Sequence, residues 1–103
     1  MVRTRFSRDT GGVGAIKARR FLISGRVQGV GYRYFAERTA HQVGVTGWAR
    51  NLDDGRVEVQ ANGTADRLED FEGRLRLGPR FADVRSVEVR EEAVLDLHSF
   101  DIR

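Results

Sequence analysis

Residues 20–44 read RFLISGRVQGVGYRYFAERTAHQVG, and this stretch changes character twice. Residues 20–26 are mostly apolar and β-prone, which predicts a strand. Residues 25–31 hold three glycines, which predict a loop. From Tyr32 onward, apolar side chains recur at steps of three and four, which predicts an amphipathic helix that stops before Gly44. The apolar positions of this helix are Tyr32, Phe35, Ala36, Ala40 and Val43.

After this strand–loop–helix unit, the pattern predicts a β-hairpin. Residues 45–51 and 56–61 are predicted strands, the second with a clear alternation of apolar and polar side chains. Asp54-Gly55 between them is typical of a tight hairpin turn. Asn62-Gly63 predicts a further turn where the second of these strands ends.

A second helix and two more strands complete the chain. Thr64 is in position to cap the helix, and Gly78-Pro79 ends it. Residues 84–90 predict a strand in which Val84 is out of step with the later valines, so we expect a bulge or an early bend. Residues 100–102 predict a short last strand. The apolar stripe of the second helix is Leu68, Phe71 and Leu75.

The predicted order is therefore β-α-β-β-α-β with a small extra strand. Two βαβ-like halves around a central hairpin predict a ferredoxin-like α+β sandwich, an antiparallel sheet with both helices on one face. A chain of 103 residues corresponds to one domain. We predict that residues 19–103 form this domain and that residues 1–18 form a flexible basic N-terminal extension.

The positive charge of the chain is concentrated in that extension. Residues 1–20 carry six basic residues and one acidic residue, whereas residues 21–103 carry 12 basic and 14 acidic residues. A domain that binds nucleic acid through its body shows a basic face, so no nucleic-acid partner is expected. A ferredoxin-like RNA-binding module also needs aromatic side chains on its central strands, and residues 56–61 contain none.

The composition excludes several other classes. The chain has no cysteine, which excludes disulfides, thiolate catalysis and cysteine-ligated metals. No apolar run approaches the roughly 20 residues of a membrane span, so no membrane association is expected. No apolar stretch follows the first arginines, so no secretory signal is indicated. We therefore expect a cytoplasmic protein.

The glycine-rich residues 25–33 are the first candidate site. Glycines let successive backbone amides point at one anion, and the start of the helix adds free N–H groups and the positive end of its dipole. Arg33 lies in that first turn, where a cation opposes the dipole. An anion held jointly by the amides and the guanidinium offsets that cost, so the expected ligand is a phosphate or a carboxylate. A tight strand–helix connection with a solvated Arg33 is the alternative.

The second candidate is the stretch GWARN at residues 47–51. Asn51 ends the second predicted strand, and the predicted topology can bring it near the glycine loop. Turn chemistry is the simpler explanation of an asparagine at this place. Trp48 is predicted to pack in the core.

Taken together, these residues resemble the acylphosphatase family. The resemblance rests on GRVQGVGYR at 25–33, GWARN at 47–51 and DGRVE at 54–58, in this order and spacing. It runs from about residue 21 to residue 102 and implies a ferredoxin-like enzyme that hydrolyses the carboxyl–phosphate anhydride of a small acyl phosphate. Tyr32 stands where the family usually has Phe, and Ala49 where it has a larger aliphatic residue.

The resemblance also implies the site residues. It assigns the catalytic roles to Arg33 and Asn51. It assigns phosphate binding to the loop residues Gln28, Gly29, Val30, Gly31 and Tyr32, through their amides. Asn51 is expected to orient the attacking water, because an amide cannot act as a base. No metal and no cofactor are expected, and a chain of this size is expected to be a monomer.

One other function stays open at this point. A catalytically silent anion-binding domain would keep the glycine loop but would not need Asn51. His41 and His98 are two isolated histidines without a carboxylate cluster and are predicted to face solvent, so they do not indicate a metal site.

Overall fold

The computed structural model describes residues 14–103, which form a five-stranded sheet and two helices. The strands are β1 (Lys17–Arg26), β2 (Thr46–Asn51), β3 (Val57–Gly63), β4 (Asp83–Glu92) and β5 (Phe100–Ile102). The helices are α1 (Tyr32–Val43), between β1 and β2, and α2 (Ala65–Leu77), between β3 and β4. In this part of the chain, no helix is long and apolar enough to cross a membrane.

The strands lie in the order β4-β1-β3-β2-β5. The first four pair antiparallel, and Phe21 of β1 lies between Val59 of β3 and Val89 of β4. β5 pairs parallel with β2, with Phe100 opposite Gly47. The ferredoxin-like α+β fold is confirmed, while the last strand makes the sheet mixed rather than wholly antiparallel. The reason is that residues 93–99 reverse the chain as they carry it from β4 at one edge to β5 at the other.

One face of the sheet packs against both helices. Side chains alternate along each strand, so every second residue faces the helices. The largest of these strand residues, Phe21 and Ile23, are fully buried. The ring of Phe71 from α2 packs edge-on against Phe21 and Phe100, with ring centroids 5.8 and 6.0 Å apart. The predicted helical stripes form the helix side of the core, with Phe35 only partly buried: Tyr32, Ala36, Ala40 and Val43 from α1, and Leu68, Phe71 and Leu75 from α2.

The opposite face, which we call the helix-free face, is covered by charged side chains in the described residues. Glu58 is only 4% exposed and accepts hydrogen bonds from Arg20 Nη1 at 3.0 Å and from Arg50 Nε at 2.6 Å. The hydrogen bond to the Glu58 carboxylate raises the pKa of Arg20. Trp48 is buried as predicted, but on this face rather than in the core, because Ala49 takes the core position next to it.

The end of β3 differs from the prediction. Asn62 and Gly63 continue the strand instead of forming a turn. Asn62 pairs with Ala18 of β1 on one side and with Thr46 of β2 on the other. A central strand that is paired on both sides continues as far as its neighbours do, and this overrides the turn preference of Asn-Gly.

Two predictions concern the start of β1 and its pairing with β4. The strand begins at Lys17, and Ala18 is 1% exposed, so the last two residues of the predicted extension belong to the sheet. Residues 1–13 of that extension lie outside the described residues. The predicted irregularity of β4 is present: the register between β1 and β4 shifts after Ser24, which leaves Arg85 without a partner residue on β1.

Candidate active site

The loop between β1 and α1 contains two glycines in the left-handed conformation. Gly29 has φ 73° and Gly31 has φ 78°, a region that other residues adopt rarely. A Cβ atom at either glycine would meet nothing within 4 Å. The two glycines therefore adopt the left-handed backbone conformation without strain. They also leave open space above the loop, where an anion can approach the backbone amides.

The start of α1 is not capped by a side chain. Gly31 is the N-cap residue, no side-chain cap hydrogen bond forms among residues 14–103, and the first turn contains no acidic residue. The first N–H groups of a helix have no partner within the helix, so these groups are available to a ligand. Arg33 lies in the same turn, and no Asp or Glu side chain of residues 14–103 forms a salt bridge with it.

The side chain of Gln28 connects the loop to the β2–β3 hairpin. Its Nε2 donates to the main-chain oxygens of Leu52 at 2.8 Å and of Arg56 at 2.9 Å. The hairpin turn that carries these oxygens directly follows Asn51, so Gln28 links the loop to the chain segment next to Asn51. The same turn is braced by Asp54, whose pKa is lowered by a hydrogen bond from the backbone amide of Arg56.

Asn51, Arg33 and the loop meet at one concavity with a volume of about 110 Å³. Its lining residues are Val27, Gly29, Gly31, Tyr32, Arg33, Tyr34 and Asn51. The structure thus brings together both predicted catalytic residues and three of the five predicted binding residues. The other two do not line the concavity: the Gln28 side chain binds the hairpin, and Val30 packs against the core.

The guanidinium of Arg33 is held from the edge of the sheet. Its Nη1 donates to the main-chain oxygen of Arg103 at 2.8 Å. The amide of Arg103 in turn donates to the main-chain oxygen of Ala49 at 2.8 Å. A guanidinium has five N–H donors, so this contact orients the group and leaves donors for an anion.

The hydroxyl of Tyr32 hydrogen-bonds to α2 and not to a group at the concavity. It donates to the main-chain oxygen of Leu75 at 2.7 Å. In a continuing helix this oxygen would accept from the residue four positions later, which is Pro79 and has no N–H. Burial raises the pKa of Tyr32 above its usual range, so the hydroxyl remains a donor. The side chain therefore supports α2, and only the amide of Tyr32 is available to a ligand.

Two residues near the site were not singled out by their sequence context. Tyr34 lines the concavity with 63% of its surface exposed, and Arg103 contributes its main-chain oxygen. Tyr34 belongs to neither the apolar stripe of α1 nor the glycine loop, so no periodicity marks it. A main-chain contact between residues 70 positions apart leaves no pattern in the sequence.

The histidines lie away from this concavity. His41 is exposed on α1, and His98 is exposed and lies 3.0 Å from a carboxylate oxygen of Asp96. Among residues 14–103, no group of three His, Asp or Glu side chains is arranged as metal ligands.

Comparison with known proteins adds an independent observation. The family model for acylphosphatase matches residues 19–102. An acylphosphatase from Solibacter usitatus is 56% identical over 87 residues, which cover 84% of this chain and 91% of that protein. The crystal structure of acylphosphatase from Bacillus subtilis superposes with a TM-score of 0.81 at 39% identity, over 84% of this chain and 98% of that one. An acylphosphatase structure from Coxiella burnetii gives a TM-score of 0.82 at 34% identity, over 85% and 93% of the two chains.

The matched range includes nearly all of the sheet, both helices, the glycine loop, Arg33 and Asn51. It confirms the resemblance that the three sequence stretches indicated. The chain belongs to the acylphosphatase family and is an enzyme of the acylphosphatase type.

Proposed function

We propose that this protein hydrolyses acyl phosphates by in-line attack of a water molecule, oriented by Asn51, on a phosphoryl group bound by the glycine loop and Arg33. One observation supports this proposal above the others. The loop glycines Gly29 and Gly31, Arg33 and Asn51 line the same concavity, which has a volume of about 110 Å³. An anion site alone would need no amide side chain at its edge.

Phosphate binding is the first part of the proposal. The amides of residues 28–32 and the first turn of α1 donate to the phosphoryl oxygens, and Arg33 adds charged donors. The transferring phosphoryl group spreads negative charge over its equatorial oxygens in the transition state. Fixed donors on these oxygens stabilise that charge without reorganisation, and the contact between Arg33 and Arg103 keeps the guanidinium oriented.

Water activation is the second part. Asn51 holds the attacking water through its side-chain amide, which contributes by positioning. The residues that line the concavity include no histidine and no carboxylate. A phosphoryl oxygen of the substrate therefore takes the proton, and no covalent phosphoenzyme forms. The leaving group is a carboxylate, which departs without help from an acid.

The proposal also covers the substrate, the need for cofactors, the oligomeric state and the cellular compartment. The substrate is a small acyl phosphate, whose acyl group extends from the concavity past the exposed ring of Tyr34. Neither a metal nor a cofactor takes part. The protein acts as a monomer in the cytoplasm, a reducing compartment that suits a chain without cysteine.

The test is hydrolysis of benzoyl phosphate, followed by absorbance with excess EDTA present. Wild type is expected to be active, and Arg33→Ala is expected to lose about 1,000-fold in kcat/KM together with its affinity for inorganic phosphate. Asn51→Ala is expected to lose about 100-fold or more in kcat at near-normal phosphate affinity, because only water positioning is removed. Arg85→Ala is the matched control, since Arg85 is exposed on β4.

Two results would contradict the proposal. A folded wild type that binds phosphate without turnover would make the silent anion-binding domain the correct description. Hydrolysis in ¹⁸O-labelled water provides the second check: attack at phosphorus places the label in phosphate. Label in the carboxylate product would instead mean attack at the acyl carbon and would exclude the role given to Asn51.

A further inference from the structure

The burial of Trp48 on the helix-free face has an unusual origin. The residue is 7% exposed, although the helices cover the other side of the sheet. Its ring is covered by two guanidinium groups, with the Cζ atoms of Arg50 and Arg103 at 5.2 and 4.8 Å from the ring centroid. Both distances lie within the range of a cation–π contact.

The two arginines differ in what else holds them. Arg50 Nε donates to Glu58 Oε1 at 2.6 Å, so its side chain is anchored independently of the indole ring. The guanidinium of Arg103 forms no salt bridge with another side chain of the described range, and it rests on Trp48. The main chain of Arg103 is held by its N–H bond to Ala49 O, whereas its side chain depends on Trp48 far more than the side chain of Arg50 does.

Arg103 is also the residue whose main-chain oxygen orients Arg33. It follows β5, which has three residues, lies at the edge of the sheet and, within the described part of the chain, pairs only with β2. Short edge strands open locally at low free-energy cost. Each opening of this strand end removes the oxygen from Arg33, and the stack on Trp48 opposes that opening.

We propose that Trp48 is a positioning residue for Arg33. The indole ring holds the Arg103 guanidinium on the helix-free face, and this keeps the end of β5 and its main-chain oxygen in place for Arg33 on the other side of the sheet. Trp48 does not line the concavity and touches no reacting group. This inference rests on the proposed function in one respect, namely that Arg33 binds the phosphoryl group.

The test compares wild type with Arg103→Ala, Trp48→Leu, Trp48→Phe and Arg50→Ala. Arg103→Ala keeps the main-chain oxygen and removes only the stack. We expect Arg103→Ala and Trp48→Leu to lower kcat/KM about two- to fivefold and to raise the inhibition constant of inorganic phosphate by a similar factor. Trp48→Phe keeps an aromatic face and is expected to stay near wild type. Arg50→Ala is the matched control, because it uncovers the same ring without touching β5.

The double variant Trp48→Leu/Arg103→Ala is expected to lose no more kcat/KM than either single variant, since both substitutions remove the same contact between the indole ring and the guanidinium. Urea unfolding midpoints report whether each variant is folded, and the exposed Arg103 provides a variant that leaves the interior untouched. Wild-type phosphate inhibition in Arg103→Ala, or an equal loss in Arg50→Ala, would overturn the positioning role. If wild type bound phosphate without hydrolysing acyl phosphates, the proposed function would fail, and calorimetric phosphate affinities of the same variants would still decide the role of Trp48.

Discussion

The two helices of this protein end alike and begin differently. Each ends at a glycine, Gly44 or Gly78, whose N–H donates to a carbonyl of the last turn. α2 begins at Thr64, whose hydroxyl accepts from the third residue of the helix, and Asp66 places a carboxylate in the first turn. The protein itself thus satisfies the positive start of α2.

The start of α1 has neither of these features. Gly31 offers no side chain, the first turn has no acidic residue, and it carries Arg33 instead. Such a start is unfavourable for an isolated helix and favourable for a bound anion. The comparison shows that the candidate site is marked by missing capping groups as much as by the arginine itself.

The largest expected effect comes from giving α1 the charge that α2 has. Gly31→Asp places a carboxylate at the proposed phosphate site, at a position where a Cβ atom meets no neighbour. We expect kcat/KM for benzoyl phosphate to fall about 100-fold or more through charge repulsion. Gly31→Asn has nearly the same size and tolerates the left-handed conformation, so it is the neutral control. Equal losses in the two variants would mean that space, and not charge, limits binding at the start of α1.

The second prediction concerns the contact that joins the two helices. Tyr32→Phe leaves the buried main-chain oxygen of Leu75 without a partner, since Pro79 cannot supply one. We expect a loss of about 1–3 kcal/mol in the free energy of unfolding, measured by urea denaturation at pH 7. An unchanged midpoint would show that water or a relaxed α2 satisfies this oxygen.

The same variant has a predictable pH dependence. The pKa of Tyr32 is raised in the folded protein above the value near 10 of a free tyrosine. The folded state therefore binds this proton more tightly than the unfolded state, so the stabilisation is complete below pH 10 and is lost as the pH rises above it. The difference in stability between wild type and Tyr32→Phe is expected to shrink above pH 10. A difference that stayed constant to pH 11 would contradict this assignment.

The third prediction concerns a variant in which α2 starts without a cap, as α1 does. Thr64→Ala removes the cap and is expected to cost about 1 kcal/mol. For a domain of this size the melting temperature falls by roughly 4–8 °C. Thr64→Ser restores the hydroxyl and is expected to restore most of the stability. If Thr64→Ala lost more activity than its fraction of unfolded protein explains, the start of α2 would have to influence the start of α1.

The smallest expected effect comes from the charge at the start of α2. Asp66→Asn is expected to cost about 0.3–1 kcal/mol at low ionic strength, because the carboxylate is exposed. Screening by salt should reduce the difference from wild type, which denaturation at about 0.05 and 1 M NaCl would measure. A difference that did not depend on salt would indicate a local contact in place of a dipole interaction.

Much of this architecture could be predicted from local sequence patterns. The strands, both helices and their ends follow from apolar periodicity, from the cap at Thr64 and from the two terminal glycines. It could not be predicted that Asn62 and Gly63 continue β3, because this depends on strand pairing on both sides of β3. The position of Trp48 could not be predicted either, since periodicity identifies a buried side chain without saying which face of the sheet buries it.

The candidate site was predictable to a similar degree. The glycine loop, Arg33 and Asn51 are visible as short motifs, and the structure places Arg33, Asn51 and two of the loop glycines at one concavity. The role of the Gln28 side chain was not visible, because its partners are main-chain oxygens of Leu52 and Arg56. Arg103 contributes through its main chain as well, and main-chain contacts place no demand on residue type.

The hydrogen bond from Arg33 to Arg103 also bears on the order of events in folding. It joins residues 70 positions apart, whereas the loop and α1 are built from neighbours in the chain. Closing so long a loop carries a larger entropy cost than forming a local turn, so distant pairings form late and slowly. In a refolding reaction, helical circular dichroism should recover before the ability to bind phosphate does. The newly collapsed chain would pass through a stage in which Arg33 is present on a formed helix but is not yet oriented.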